Sequence, residues 1–271
     1  MQPSVMKDLS FVAALALAAC GGAGQPAPRQ QRATVAKATA GELSVELLTD
    51  SRLEVGLTPV YVKVTDAAGA VVRDATVTVA PIMTMTTATG TMQHGAPTLP
   101  RAGLSDDEDY ACDMVFSMPS SATDSWAARV TVARAGAAPV EALFDHLAVA
   151  DTGRARSFTY TDPTTSAKAK YVASLNFAAA PVVGQNPVVM TLHRMQDMMT
   201  FAPVDDAAFT LDPQMPSMGH GSPGSVNPTL VSPGRYAGKL SFSMAGDWET
   251  TVAIASAGGA ALGTLTFTTS F

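Results

Sequence analysis

From about residue 41 onward, apolar and polar positions alternate in short runs rich in Val and Thr. The segments ELSVELL, PVYVKVT, ATVTVAP, YACDMVFSM and WAARVTVA carry apolar side chains at a period near two. That is the period of a strand buried on one face. Turn residues interrupt the runs at short intervals, which predicts an all-β antiparallel sandwich. APVEALFDHLAVA fits a helix or a strand; it is read as a strand because its later counterpart is LGTLTFTTSF.

The pattern then recurs. GLTPV (56–60) matches GQNPV (184–188), and DATVTVAP (74–81) matches DAAFTLDP (206–213). MQHGAP (92–97) matches MGHGSP (218–223), and YACDMVFSM (110–118) matches YAGKLSFSM (236–244). Trp126 and Trp248 follow in each copy, and the offset stays at 126 residues from Met92 through Met118. Self-similarity of this kind predicts two tandem β-sandwich domains, 41–150 and 155–271. In the repeated core strand, Tyr236, Gly238, Leu240, Phe242 and Met244 share one face, as do Tyr110, Cys112, Met114, Phe116 and Met118. The apolar character of that face makes it the inner one.

The N-terminus has a different logic. FVAALALAAC is too short an apolar run to span a bilayer and ends in small residues and a cysteine. It resembles a bacterial lipoprotein signal peptide over residues 1–19, with Leu17-Ala18-Ala19-Cys20 as the lipobox and Cys20 as the lipidated residue. In a Gram-negative cell, that resemblance implies anchorage in the outer membrane, facing the periplasm. The alternative is a secretory signal without lipid. The following GGAGQPAPRQQRATVAKATAG has no apolar period, so residues 20–40 are expected to form a flexible tether. With Cys20 lipidated, Cys112 has no intramolecular partner and is expected to be a buried small hydrophobe. A Cys20–Cys112 disulfide would require the signal reading to be wrong.

Charge and motifs remove several function classes. The net charge of −6 and the lack of a long basic run argue against nucleic acid and against an electrostatic grip on anionic lipid. There is no phosphate loop, GxSxG or HExxH, and the four histidines (His94, His146, His193, His220) fall in no catalytic pattern. No enzymatic activity is expected. The acidic run 106–109 has no counterpart in the second copy, so it is read as a solvated turn rather than a calcium site.

The fourteen methionines change the picture. In DPQMPSMGHGSP, Met215, Met218 and His220 stand among turn residues, where large apolar side chains are unusual. Thioether sulfur is soft and needs no deprotonation, which suits Cu(I), and imidazole suits copper in either state. Pro216, Gly219 and Gly221 permit a turn that converges these donors, with Met244 as a further sulfur. The competing reading is that the methionines plug the end of a sandwich. The first copy, PIMTMTTATGTMQHGAP, keeps Met83, Met85, Met92 and His94 but not the spacing, and Met118 matches Met244. A separate cluster, His193, Met195, Met198 and Met199, has no counterpart in the first copy and is read as a strand end and turn, with metal contact as the alternative.

The second copy, from LDPQMPSMGHGSP through GRYAGKLSFSMAGDWETTVAI, resembles the YtkA-like or FixH-like domain of bacterial envelope proteins. The resemblance rests on Met215, Pro216, Met218, His220, the Tyr-x-Gly strand, Met244 and Trp248. The first copy is similar only through Met92, His94, Tyr110, Met118 and Trp126. The resemblance implies immunoglobulin-like sandwiches in the envelope, and for some relatives an association with copper delivery or oxidase assembly. The lipoprotein-like anchor and the second domain depart from FixH proteins. The resulting expectation is a lipid-anchored protein that binds copper, as Cu(I), and exchanges it with a copper-donating or copper-accepting envelope protein. The alternative is a structural or partner-binding lipoprotein that holds no metal.

Overall fold

The computed structural model describes residues 32–271; the segment expected to be a signal peptide, Cys20 and the first part of the expected tether lie outside the described residues. The first half carries β1 (Ala33–Ala40), β2 (Leu43–Thr49), β3 (Gly56–Thr65), β4 (Ala75–Thr87), β5 (Gly90–Gly95), β6 (Thr98–Leu104), β7 (Tyr110–Phe116), β8 (Ser125–Arg134) and β9 (Val140–Leu147). The second carries β10 (Ala155–Thr161), β11 (Lys168–Phe177), β12 (Gly184–Met195), β13 (Phe201–Pro203), β14 (Ala208–Met215) and β15 (His220–Gly221). It ends with β16 (Val226–Ser232), β17 (Arg235–Phe242), β18 (Asp247–Ala255) and β19 (Ala261–Ser270).

These strands form two tandem sandwiches. The first pairs a β1-β2-β3-β7-β6 sheet with a β5-β4-β8-β9 sheet. The second repeats that order as β10-β11-β12-β17-β16 and β15-β14-β18-β19, with β13 added beside β12. Each has its own core: Leu47, Met83, Met114, Phe116 and Trp126 in the first, Leu175, Met190, Leu240, Phe242 and Trp248 in the second. The segment left open between helix and strand is β9.

The same two hydrogen-bonded pegs recur in both halves. The hydroxyl of Tyr110 donates to Val72 O at 2.9 Å and accepts from Ala75 N. Tyr236 does the same with Val204 O, at 2.7 Å, and Ala207 N. Trp126 Nε1 donates to Met118 O at 2.9 Å, and Trp248 Nε1 to Met244 O at 3.0 Å. A buried Tyr or Trp must place its polar atom somewhere, and here the partner is a loop carbonyl that the ring thereby fixes.

Three features differ from the sequence-based expectation. The tether over 20–40 does not extend through residue 40, because Ala33–Ala40 is a strand paired with β2 from Ala33↔Thr49 to Ala40↔Leu43. Its Ala and Thr side chains are too small to give a strong apolar alternation, yet Val35, Ala36 and Ala38 pack against the first core. The turn that joins it to β2 uses Gly41 at φ +60°. Second, the acidic run is not wholly solvated. Asp109 is buried, ion-paired with Arg32 and hydrogen-bonded by Ser105. Third, β7 is buried at every position, not on its inner face alone. On β17, by contrast, Ala237 and Lys239 remain exposed.

The reason is contact between the sandwiches. Leu99, Val115 and Val172 form a small apolar cluster flanked by Leu57 and Phe201, joining both halves. Asp113, on the outer face of β7, is almost fully buried and ion-paired with Arg101 of the first sandwich and Arg235 of the second. Leu57 N donates to Asn176 Oδ1 at 2.9 Å, and Gly95 N to Met198 O at 2.7 Å. A charge buried as deeply as Asp113 would be costly unpaired, so losing either arginine should loosen this junction.

Candidate metal centre

In the second sandwich, β14 ends at Met215 and β15 begins at His220. The turn between them is closed by Met218 N and Gly219 N, which donate to Met215 O at 3.1 and 2.9 Å. Gly219 takes the left-handed conformation, φ +66°, that the turn requires. Met215 and His220 are cross-strand partners, so their side chains share a face. Met215 is only 2% exposed and belongs to the core with Phe242 and Trp248. Its methyl lies against Gly246, where a Cβ would stand 2.9 Å from Met215 Cε.

His220 lies above this layer. Its ring meets Trp248 edge-on, with centroids 5.8 Å apart. Its Nδ1 is 3.1 Å from Gly221 O. A carbonyl can only accept, so in the neutral ring Nδ1 carries the proton and Nε2 keeps its lone pair. Met218, at the turn, is 60% exposed, and Met244 is 40% exposed just past the end of β17. Met244 therefore does not fill the inner face as its place in the alternation implies; what it gives the core is the carbonyl that holds Trp248. The hairpin thus brings Met215 and His220 together over Trp248, seats Met215 in the core and leaves Met218 in solvent.

The first sandwich builds the same arrangement on a longer hairpin. β4 and β5 pair Met83 with His94 and Met85 with Met92. The spacing that looks lost in sequence is an extension of the hairpin tip with register preserved. Met83 takes the place of Met215 and is fully buried. Met83, Met85, Met92 and His94 all share one hairpin face, by alternation and cross-strand pairing. His94 meets Trp126 edge-on at 5.6 Å, and its Nδ1 is 2.8 Å from Gly95 O. Met92, His94 and Met118 line one cleft of about 600 Å³.

The cluster at 193–199 divides. His193 is 2% exposed, and its Nδ1 has no partner. Burial outweighs the nearby Asp205 charge and pushes this imidazole down to about 4. Met195 ends β12, and Met198 and Met199 stand exposed on the following turn. Cys112 is a free, buried member of the first core, as expected of an unpaired small hydrophobe. Burial, aided by the neighbouring Asp113 charge, pushes its thiol up to about 12, so it stays protonated at neutral pH in the metal-free chain.

Among the described residues, no group of three or more His, Cys, Asp or Glu is placed to hold a metal ion. Thioethers and one imidazole gather in the first cleft, and in the second copy Met215 and His220 share a face. They are neutral and soft, and each histidine is oriented by a carbonyl behind it, as metal-binding imidazoles generally are.

Residues 164–253, from the turn before β11 into β18, match the YtkA-like family. The match covers β11 through most of β18 of the second sandwich, including its hairpin and Trp248, and leaves out β10 and β19. No curated protein matches the chain.

Proposed function

We propose that this protein is a lipid-anchored protein of the bacterial envelope that binds Cu(I) through its Met/His hairpins and hands it to a partner, without catalysing a reaction. The observation that carries the reading is repeated in both sandwiches. A histidine is held edge-on against a buried tryptophan, with Nδ1 committed to a carbonyl and Nε2 keeping its lone pair; Met92 and Met118 line the same cleft as His94, and Met218 and Met244 are the exposed methionines of the second copy. A bound cation there would meet soft neutral ligands. His220, Met218 and Met244 are the donors of the second site, with Met215 beneath them in the core. Few neutral ligands at an exposed turn suit rapid exchange better than permanent storage. An anchor at Cys20 would keep the exchange at the membrane surface.

Anaerobic competition with a chromophoric Cu(I) chelator tests the reading. The Met218→Leu, His220→Ala variant should lose affinity by at least about tenfold, the loss of roughly 1.4 kcal/mol. Unchanged affinity would sink the second site. A different role is favoured by one observation: Met215 and Met83 are core residues. On that reading the hairpins are plugs, and exposed Met218, Leu230 and Val231 form a contact surface for another protein.

A further inference from the structure

The cleft lined by Met92, His94 and Met118 is not made by the first sandwich alone. Met195 and Met198 of the second sandwich line the same space. The loop that carries them is built to stay in place. Asp197 Oδ1 accepts from Met199 N at 2.7 Å and from Thr200 N at 2.9 Å, and Asp197 Oδ2 accepts from Thr200 Oγ1 at 2.7 Å. Gln196 N donates to Thr200 O, closing the turn. The turn is then docked onto the first hairpin by the Gly95 N to Met198 O bond. A Cβ at Gly95 would fall on the carbonyl oxygen of Met199, so this close approach needs a glycine. His94, one residue away, is therefore held beside the methionine loop by backbone contacts.

We infer that this junction is a second soft-metal site, composite between the two sandwiches, in which one monovalent ion is held by His94 Nε2 and by thioethers drawn from Met92, Met118, Met195 and Met198. It rests on the Cu(I) reading for the identity of the ion, but its residues are separate from those of the second hairpin. All five donors are neutral. Arg156 and Lys170 also line the cleft, and their positive charge disfavours a divalent ion. The Arg156 guanidinium is turned to the carbonyls of Gly153 and Ala155, at 2.7 and 2.8 Å, rather than to the methionines. The composite design also explains a feature of the repeat. The cluster at 195–199 has no counterpart in the first copy because only one copy faces the junction.

The test uses the full chain with methionine methyl groups labelled for NMR, titrated with Ag(I) as a redox-inert stand-in for Cu(I). The methyls of Met92, Met118, Met195 and Met198 should include responders from both sandwiches that shift together in one saturable step. Met195→Leu with Met198→Leu should weaken that step at least about tenfold and leave any Met218 shift unchanged. Leucine keeps the apolar bulk, so a folding defect is not expected, and unaltered Met190 and Met114 methyl shifts would verify this. If the Met195 and Met198 methyls stay still while Met92 shifts, the composite site is overturned. If the junction methyls are silent and Met218 responds, the junction fails and the second-hairpin site survives. If all are silent, both fail.

Discussion

The hairpins β4–β5 and β14–β15 are the same device in two settings. Both pair a buried methionine with a histidine across the strands, and both set that histidine edge-on against a buried tryptophan. They differ in what lies opposite. The second hairpin ends in a tight turn with Met218 in solvent, whereas the first is longer and, at its Gly95 end, meets the Met195–Thr200 loop of the neighbouring sandwich. The difference teaches that the repeated residues define the platform, a Met–His pair over Trp. The unrepeated residues define what the platform faces. One setting faces solvent; the other is a cleft walled by both sandwiches.

If the platform is equivalent in both copies, its removal should cost the same in each. Trp126→Ala and Trp248→Ala should each destabilise their sandwich by about 3–5 kcal/mol, as for other buried aromatic truncations. Urea unfolding followed separately in each half checks this. A small effect in one copy alone would break the equivalence.

The pH response should separate the copies instead. The first copy has Thr65 where the second has His193. Because folding lowers the His193 pKa from 6.5 to about 4, the unfolded chain binds a proton that the folded chain does not. Its neutral form is tolerated fully above about pH 6.5. Stability falls as pH drops through the window down to about 4, by about 3 kcal/mol in all, and the loss levels off below it. Unfolding at pH 7 and pH 4 should show this loss in the second sandwich, and His193→Thr should abolish it.

The two hairpin glycines sharpen the comparison further. Gly95→Ala would press a Cβ onto the backbone of Met199, and it should cost about 1–3 kcal/mol through overpacking. The equivalent Gly221→Ala meets only the end of the Gln214 side chain, at 2.7 Å from Nε2, which can swing aside. It should stay within about 0.5 kcal/mol. Faster hydrogen exchange at the Gly95 amide position in the Gly95→Ala chain than in the parent would locate the difference at the junction.

Much of this was legible from sequence. Alternation gave the strands, and repetition gave two sandwiches with one strand order. The same repetition singled out His94, His220, Trp126 and Trp248. What was not legible came from contacts that local pattern does not encode. β1 is short of large apolar residues, so only its pairing with β2 reveals it. Met83 looked misplaced because spacing was counted along the chain; counted across the hairpin from its tip, Met83 faces His94 as Met215 faces His220. Met244 was assigned to the inner face by extending the alternation past the end of β17, where the chain turns. The meeting of Met195 and Met198 with the first hairpin depends on how the sandwiches pack, and alternation within each strand carries no trace of it.

The most direct measurement is X-ray absorption at the copper edge of the Cu(I)-loaded Cys20→Ala, Cys112→Ala chain, in which no thiolate can contribute. A sulfur shell accompanied by imidazole scattering is the predicted result. A first shell of oxygen and nitrogen alone, or no stoichiometric copper retained, would contradict the central claim that the histidines set over tryptophan, with the accessible methionines around them, hold a soft metal.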